Sequence, residues 1–337
     1  MPKKRDVVLK VEDLVVRYRV GRRRVNAVNG VSFELERGSM LGIVGESGCG
    51  KSATAHAIAR LLPKNGAIEG GYVDFDEREG ERLCLSELPA RSEELRELRG
   101  KSVSMIFQDP LSSLNPVYTV GRQISEALLA HEKMPREKAK ERVVKLLERL
   151  GIPEPLKRYN DYPHQFSGGM KQRVMIAIAM ICDPAVLIAD EPTTALDVTI
   201  QAQIIDLMRE LQRERGTSII LITHNMGLVA ECCDEVAVMY MGRIVEKGPI
   251  ERIFGNPLHP YTSALLRSVP VLGMKRRELE SIPGGTPDAS EAIEGCAFCE
   301  RCSKAFGECA GALPAEIEAE PGHFVCCHLY REEGASE

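Results

Sequence analysis

The chain has no tryptophan, and its aromatic residues amount to 5% of 337 positions. It carries no low-complexity tract and no convincing internal repeat, which sets aside arrays and linker-type sequences. No apolar segment follows the basic start Met1-Pro2-Lys3-Lys4-Arg5, so no signal peptide is expected. The longest apolar run, Val174 to Cys182, is far too short to span a bilayer. A soluble chain is expected, and any membrane role must come through a partner. Positive charge is not in excess: the formal net charge is −5, so the surface as a whole is no nucleic-acid footprint. Hydrophobic residues make up 44% of the chain, enough for a sizeable core. The length allows one large domain with an appendage, or two domains.

Residues 45–52 form a complete phosphate loop of the type G-x-x-x-x-G-K-[ST]: Gly45-Glu46-Ser47-Gly48-Cys49-Gly50-Lys51-Ser52. An apolar strand-like run, Leu41 to Val44, precedes it, and a helix-like run, Ala53 to Leu62, follows, beginning Ala53-Thr54. That context gives the motif its chemical meaning. Glycines let successive backbone N–H groups point into one cavity, and the following helix adds its positive end, so a triphosphate can be held. Lys51 is expected to reach the β- and γ-phosphates, and Ser52 to offer a hydroxyl to Mg²⁺.

Far downstream, Ala185-Val186-Leu187-Ile188-Ala189-Asp190-Glu191 is an apolar strand ending in two carboxylates. Asp190 can hold Mg²⁺, usually through water, and Glu191 can polarise an attacking water. Phe166-Ser167-Gly168-Gly169-Met170-Lys171-Gln172-Arg173 precedes a helical run. A Ser-Gly-Gly at a helix N-terminus is a second anion site, which one chain does not need for its own γ-phosphate but a head-to-tail dimer does.

The remaining pattern is α/β. Val7 to Tyr18 and Val25 to Glu36 read as a hairpin around Gly21-Arg22-Arg23-Arg24. Residues 66–108 read as a Gly-rich turn, a charged helix-prone stretch and a strand at Ser102 to Phe107. A helical region is expected from Asp109 to about Asp183, with an amphipathic helix over Lys138 to Leu150 stopped by Gly151. Val186 to Ala189 and Ser218 to Thr223 are continuous and apolar, as buried parallel strands are, with a helix, Val198 to Glu214, between them. A meander follows at Val236 to Tyr240 and Arg243 to Lys247. After about Pro257 the composition shifts to Pro, Gly and Cys. The expected domains are 1–256, with a helical subdomain at 109–183, and a C-terminal extension at 257–337.

The order of phosphate loop, Gln108, Ser-Gly-Gly, Asp190-Glu191, Ala195-Leu196-Asp197 and His224 resembles the nucleotide-binding subunit of an ABC (ATP-binding cassette) transporter, over residues 7–255. The resemblance implies a P-loop NTPase cassette: a mainly parallel core sheet, an antiparallel β subdomain and a helical signature subdomain. It implies ATP and Mg²⁺ as ligands. Tyr18 would stack on adenine, and Gln108 would contact Mg²⁺ or water and sense the membrane subunit. Ser167, Gly168 and Gly169 would close on the partner's γ-phosphate. Asp197 would sit at the dimer seam, and His224 would hold the γ-phosphate and orient Glu191.

Met170 stands where the general family signature has Gln. Phe-Ser-Gly-Gly-Met-Lys-Gln-Arg is instead similar to the dipeptide/oligopeptide importer branch, in its D-type ATPase subunit. Gln108 to Pro116, Thr193 to Gln203 and His259-Pro260-Tyr261-Thr262 support that branch. It implies peripheral placement on the cytoplasmic face of the membrane, two transmembrane permease subunits, a related F-type ATPase subunit as heterodimer partner, and an extracytoplasmic solute-binding protein. It gives no role for nucleic acid. Sugar and nickel importers share the branch. A rival of another class is a soluble ABC ATPase acting on nucleic acid or the ribosome, which usually carries two cassettes or a long coiled-coil insertion.

Of 11 cysteines, Cys49, Cys84, Cys182, Cys232 and Cys233 read as small core or loop residues. Cys296, Cys299, Cys302 and Cys309 are spaced C-x2-C-x2-C-x6-C, with Cys326 and Cys327 beyond and His323 and His328 beside them. A disulfide framework is not expected in a cytosolic ATPase. The spacing fits a ferredoxin-like iron–sulfur site, thiolate-bound zinc or no metal, and does not choose among the six cysteines. In the importer branch, the tail cysteines corresponding to Cys296, Cys302, Cys309 and Cys327 are associated with a [4Fe–4S] cluster.

Overall fold

The computed structural model describes residues 6–77, 80, 82–108, 113–193, 196–268, 282–291 and 293–330. Asp109 to Ser112 and Thr194-Ala195, parts of two stretches named above, lie outside the described residues.

Two sheets form the scaffold. β1 (Val7–Val20), β2 (Arg23–Glu36), β4 (Gly66–Asp76) and β5 (Arg82–Cys84) make an antiparallel sheet in the order β2-β1-β4-β5. The larger sheet has eight strands. Its parallel part runs β9-β3-β8-β7-β6 and uses β3 (Met40–Val44), β6 (Val103–Ile106), β7 (Val186–Asp190), β8 (Ser218–Thr223) and β9 (Glu235–Tyr240). β10 (Arg243–Pro249), β12 (His323–Val325) and β11 (Ile317–Glu320) continue it antiparallel beyond β9.

The parallel strands are apolar throughout because both of their faces are covered. Successive side chains alternate sides. Met40 and Val44, Leu187 and Ala189, and Ile219 and Leu221 face a helical layer. Leu41 and Ile43, Val186 and Ile188, and Ile220 and Ile222 face the antiparallel sheet and α1 (Lys51–Ile58). The helical layer follows α2 (Glu93–Leu98). It comprises α3 (Val120–Leu129), α4 (Arg136–Arg149), the short α5 (Pro155–Arg158) and α6 (Gly168–Met180). In α4, Ala139, Val143, Leu146 and Leu147 form the buried stripe expected of an amphipathic helix. α7 (Val198–Arg215) ends at Gly216, which takes the left-handed conformation favoured after a helix.

One expectation is corrected. The Gly-rich stretch after Leu62 is no turn but the 11-residue strand β4, paired with β1 from Leu9 to Tyr18. Its glycines serve the pairing: the Tyr18 ring lies where a Cβ on Gly66 would be, and Gly71, at φ +78°, meets the Asp13 carbonyl at a bulge.

The C-terminal extension is fastened to this scaffold rather than hung from it. α8 (Met226–Cys232), α9 (Ile250–Gly255), α10 (Pro260–Arg267) and α11 (Gly307–Gly311) accompany the last strands. Phe298 packs among Tyr240, Tyr261 and His259, with ring centroids 5.3 to 5.9 Å apart. Val325, Leu258 and Cys327 form a small core of their own. Beneath them lies a buried polar junction. Glu246 of β10 accepts from the Leu258 and His259 N–H groups and pairs with His323 Nε2, each at 2.8 Å. Both side chains of that pair are fully buried. Among the described residues, no helix is long and apolar enough to cross a membrane.

Candidate functional site: a phosphate loop at the strand ends

The loop 45–50 joins the C-terminal end of β3 to α1, where an open α/β sheet binds ligands. Gly50, the residue before α1, has φ +103°, and a Cβ there would overlap the Ala27 carbonyl of β2. Only glycine fits a left-handed position this tightly enclosed. Ala27 lies two residues along β2 from Val25, the partner of Tyr18 across the β1–β2 ladder. Tyr18 is therefore on the sheet that flanks the loop. Burial raises its phenol pKa.

Lys51 is buried, and its ammonium donates to the Gly45 and Glu46 carbonyls at 2.8 and 2.9 Å, across the mouth of the loop. Ser52 Oγ donates to Asp190 Oδ1 at 3.1 Å. Asp190 ends β7, the second strand over from β3 with β8 between them. Burial raises its pKa, and the Ser52 hydrogen bond opposes that rise. A hydroxyl and a carboxylate converging beside a phosphate loop are the hard oxygen donors that suit Mg²⁺.

Glu191 follows in the left-handed region, at φ +46°, with its N–H donating to the Ile222 carbonyl at 2.9 Å. A non-glycine residue there carries strain, which persists only where the surroundings impose it. The surroundings here are two polar side chains: Gln108 Nε2 donates to Oε2 at 2.9 Å, and His224 Nδ1 lies 3.3 Å from Oε1. Gln108 follows β6 and His224 follows β8, so the ends of three parallel strands meet at one carboxylate. The His224 side chain is 65% exposed and the Glu191 side chain 15%.

The structure thus brings Lys51, Ser52, Gln108, Asp190, Glu191 and His224 into one site. It sets Ser167, Gly168 and Gly169 elsewhere. Ser167 caps α6 by accepting from Met170 N–H at 3.3 Å, and Asp197 caps α7 by accepting from Ile200 N–H at 2.9 Å. Such caps are worth about 1 kcal/mol each. A Cβ on Gly168 would lie 3.7 Å from Leu196, and one on Gly169 3.0 Å from Ile200, so the two helix starts pack together. Ser167, Gly168 and Asp197 are exposed.

Two residues beside the site were not assigned to it from the sequence. Glu46 N–H donates to Tyr261 Oη at 2.9 Å, and the Glu46 carboxylate takes both arms of the Arg301 guanidinium, at 2.7 and 3.0 Å. Tyr261 stood in the stretch His259-Pro260-Tyr261-Thr262, and Arg301 among the cysteines; nothing in their spacing pointed at the phosphate loop.

In the tail, Cys296 N–H donates to the Cys309 carbonyl at 2.7 Å. Burial pushes the Cys296 thiol up to about 11, and Cys327, Cys309 and Cys302 add to it. Cys326 is pushed up to about 12, by burial first and then by Glu316. Among the described residues no three His, Cys, Asp or Glu side chains converge as a group that could hold a metal ion.

A phosphate loop, a hydroxyl–carboxylate pair beside it and a carboxylate gripped from two neighbouring strands define a nucleoside triphosphatase of the cassette type. The fold agrees. An ATP-binding cassette solved as a dimer in a post-hydrolysis state with ADP and Pi aligns with a TM-score of 0.63 at 25% identity, covering 72% of this chain and 98% of that one. Residues 28–194 match the ABC transporter family, and residues 245–309 match the oligopeptide/dipeptide transporter C-terminal region. A dipeptide transport ATP-binding protein of Bacillus subtilis is 48% identical over 96% of this chain and 94% of its own length. An oligopeptide transport ATP-binding protein of Salmonella typhimurium is 48% identical over 98% and 96%. The chain belongs to the ATP-binding subunits of the ABC transporter family, in the branch that carries the oligopeptide/dipeptide C-terminal region.

Proposed function

We propose that this chain is the ATP-hydrolysing subunit of an importer for di- and oligopeptides. It would work peripherally, on the cytoplasmic face of the membrane, beneath two permease subunits fed by a solute-binding protein. The observation that carries the ATPase is Glu191, held between Gln108 and His224 beside the Ser52–Asp190 pair. The relatives at 48% identity, a dipeptide and an oligopeptide transport ATP-binding protein, together with the tail match, favour peptides over the sugars or nickel that related importers take.

The loop amides and Lys51 bind and orient the triphosphate. Ser52 and Asp190, with Gln108, would hold Mg²⁺, which when bound neutralises charge on the β- and γ-phosphates. Glu191 accepts the proton of the attacking water. Gln108 and His224 fix the direction of its carboxylate, and His224 also reaches the γ-phosphate. Tyr18 stacks on the adenine. In this reading Ser167, Gly168, Gly169 and Asp197 act on a second ATPase chain, an F-type partner, across the dimer seam. Closure on ATP and reopening after hydrolysis then drive the permeases.

The reading includes a [4Fe–4S] cluster on Cys296, Cys302, Cys309 and Cys327. What supports it is the C-x2-C-x2-C-x6-C spacing and the match of residues 245–309, which hold three of the four cysteines, to the peptide-transporter tail. When bound it would staple the tail.

Proteoliposomes holding the assembled transporter test the function. Uptake of labelled dipeptide that needs ATP inside and an intact Glu191 is the expected result. Uptake of sugar or nickel but not peptide would reassign the cargo, and no ATP-dependent uptake would refute the reading.

A further inference from the structure

The phosphate loop leans on the C-terminal extension at one residue, Glu46. Its carbonyl accepts from Lys51 at 2.9 Å, its N–H donates to Tyr261 at 2.9 Å, and its carboxylate takes the Arg301 fork at 2.7 and 3.0 Å. Arg301 and Glu46 are 255 positions apart in sequence. The Arg301 side chain is 5% exposed. Two further donors are engaged: Nε donates to the Pro283 carbonyl at 3.0 Å, and Nη1 to Tyr240 Oη at 3.2 Å. The guanidinium lies 5.8 Å from the Tyr240 and Phe298 ring centroids. Most surface ion pairs contribute little. This one is bidentate, sheltered and locked by packing, the arrangement in which arginine fixes a carboxylate's position.

We infer that Arg301 is a positioning residue for nucleotide binding: the cysteine-rich extension holds the phosphate loop in its binding shape through Glu46. Backbone amides can cradle a triphosphate only if the loop is already bent, and a glycine-rich loop left free must be ordered at the expense of affinity. The Arg301 fork and Tyr261 hydroxyl supply that order from outside the loop. Arg301 lies between Cys299 and Cys302, so the order of the cysteine-rich turn reaches the nucleotide site directly. The alternative role for the same contact is as a mere tether for the tail, which would leave nucleotide affinity untouched.

This inference rests on the chain being an ATPase, and the test separates the two. MgATP and MgADP binding are measured by titration calorimetry on the full chain, for wild type, Arg301→Met, Arg301→Lys, Glu46→Gln and the Arg301→Met/Glu46→Gln double variant. If wild type binds no nucleotide, the ATPase reading falls. Given wild-type binding, Arg301→Met is expected to weaken it about tenfold, and the double variant no further than the weaker single, since contacting residues couple. Arg301→Lys keeps the charge without the fork and should fall between. Amide exchange should quicken in residues 45–50 of the Arg301→Met chain and stay unchanged in β7 and β8. Wild-type affinity in Arg301→Met, or losses that simply add in the double variant, would overturn the inference. If Arg301→Met does not fold, Arg301→Lys decides: unchanged affinity and loop exchange overturn it.

Discussion

Replacing Glu191 with Gln isolates the hydrolytic step from the binding step. The side chain keeps its shape, and its carbonyl can still accept from Gln108 at the 2.9 Å spacing seen now. What goes is the negative charge opposite His224 and the lone pair that takes a proton from water. General bases contribute roughly 10²–10⁴-fold to rate, or about 3–5 kcal/mol. Nucleotide affinity should hold, because Lys51, the loop amides and the Ser52–Asp190 pair are untouched. The assay is steady-state phosphate release in the assembled transporter, in a background where the proposed second ATPase subunit already carries the equivalent replacement, alongside MgATP binding. A drop of two to four orders in turnover with affinity within about threefold of wild type is expected from that range. Turnover within a few-fold of the parent assembly would refute Glu191 as the base. A parallel collapse of affinity would mean that the carboxylate serves binding instead.

Three further outcomes test the tail. Glu246→Leu leaves the Leu258 and His259 N–H groups and the His323 ring without their buried acceptor; it should cost about 3–5 kcal/mol, read by urea unfolding, as breaking a buried pair does. His259 is fully buried, and desolvation lowers its pKa to about 4. A histidine depressed in the folded state stabilises fully above its unfolded value, about 6.5, and loses that contribution as pH falls through 4. Melting scans should therefore show stability dropping by about 3 kcal/mol over that window, and His259→Asn, which can still cap α10, should flatten the profile. Cys296→Ser in anaerobically purified chain should abolish iron binding, measured with sulfide and the absorption near 400 nm, whereas Cys326→Ser should not; equal loss in both would refute the four-cysteine assignment.

The parallel core and the nucleotide motifs were legible because their physics is local. Val186 to Ala189 and Ser218 to Thr223 are continuous apolar runs, and a strand covered on both faces needs nothing else. The phosphate loop announces itself because its glycines and lysine are adjacent. β4 was misread because its glycines, taken alone, indicate a turn; Gly66 and Gly71 are there for the Tyr18 ring and the Asp13 carbonyl on another strand. β11 and β12 were missed for a related reason. Ile317-Glu318-Ala319-Glu320 and His323-Phe324-Val325 are too short and polar to declare a strand; pairing of β12 with β10, and of β11 with β12, makes them strands. The Arg301–Glu46 contact had no signal at all, since a fork 255 residues away leaves no periodicity behind.

The placement of the signature segment bears on why such a chain would act in pairs. A helix start with free amides attracts an anion, and the phosphate loop already has one in α1. The second, α6, has Ser167 and Gly168 exposed, and its neighbours are Leu196 and Ile200 at the start of α7 rather than the loop. Beside them Val198 is 82% exposed, an apolar residue at a seam of polar caps. A site complete within one chain would have no use for that exposed terminus. The proposed head-to-tail partner gives it one, covering Val198 and closing α6 over a triphosphate held by the other chain's loop. Glu46 and Arg301 would then set the loop's shape from behind, in cis, while Ser167 and Gly168 close it from the front, in trans. The tail and the partner chain would act on opposite sides of the same few loop residues.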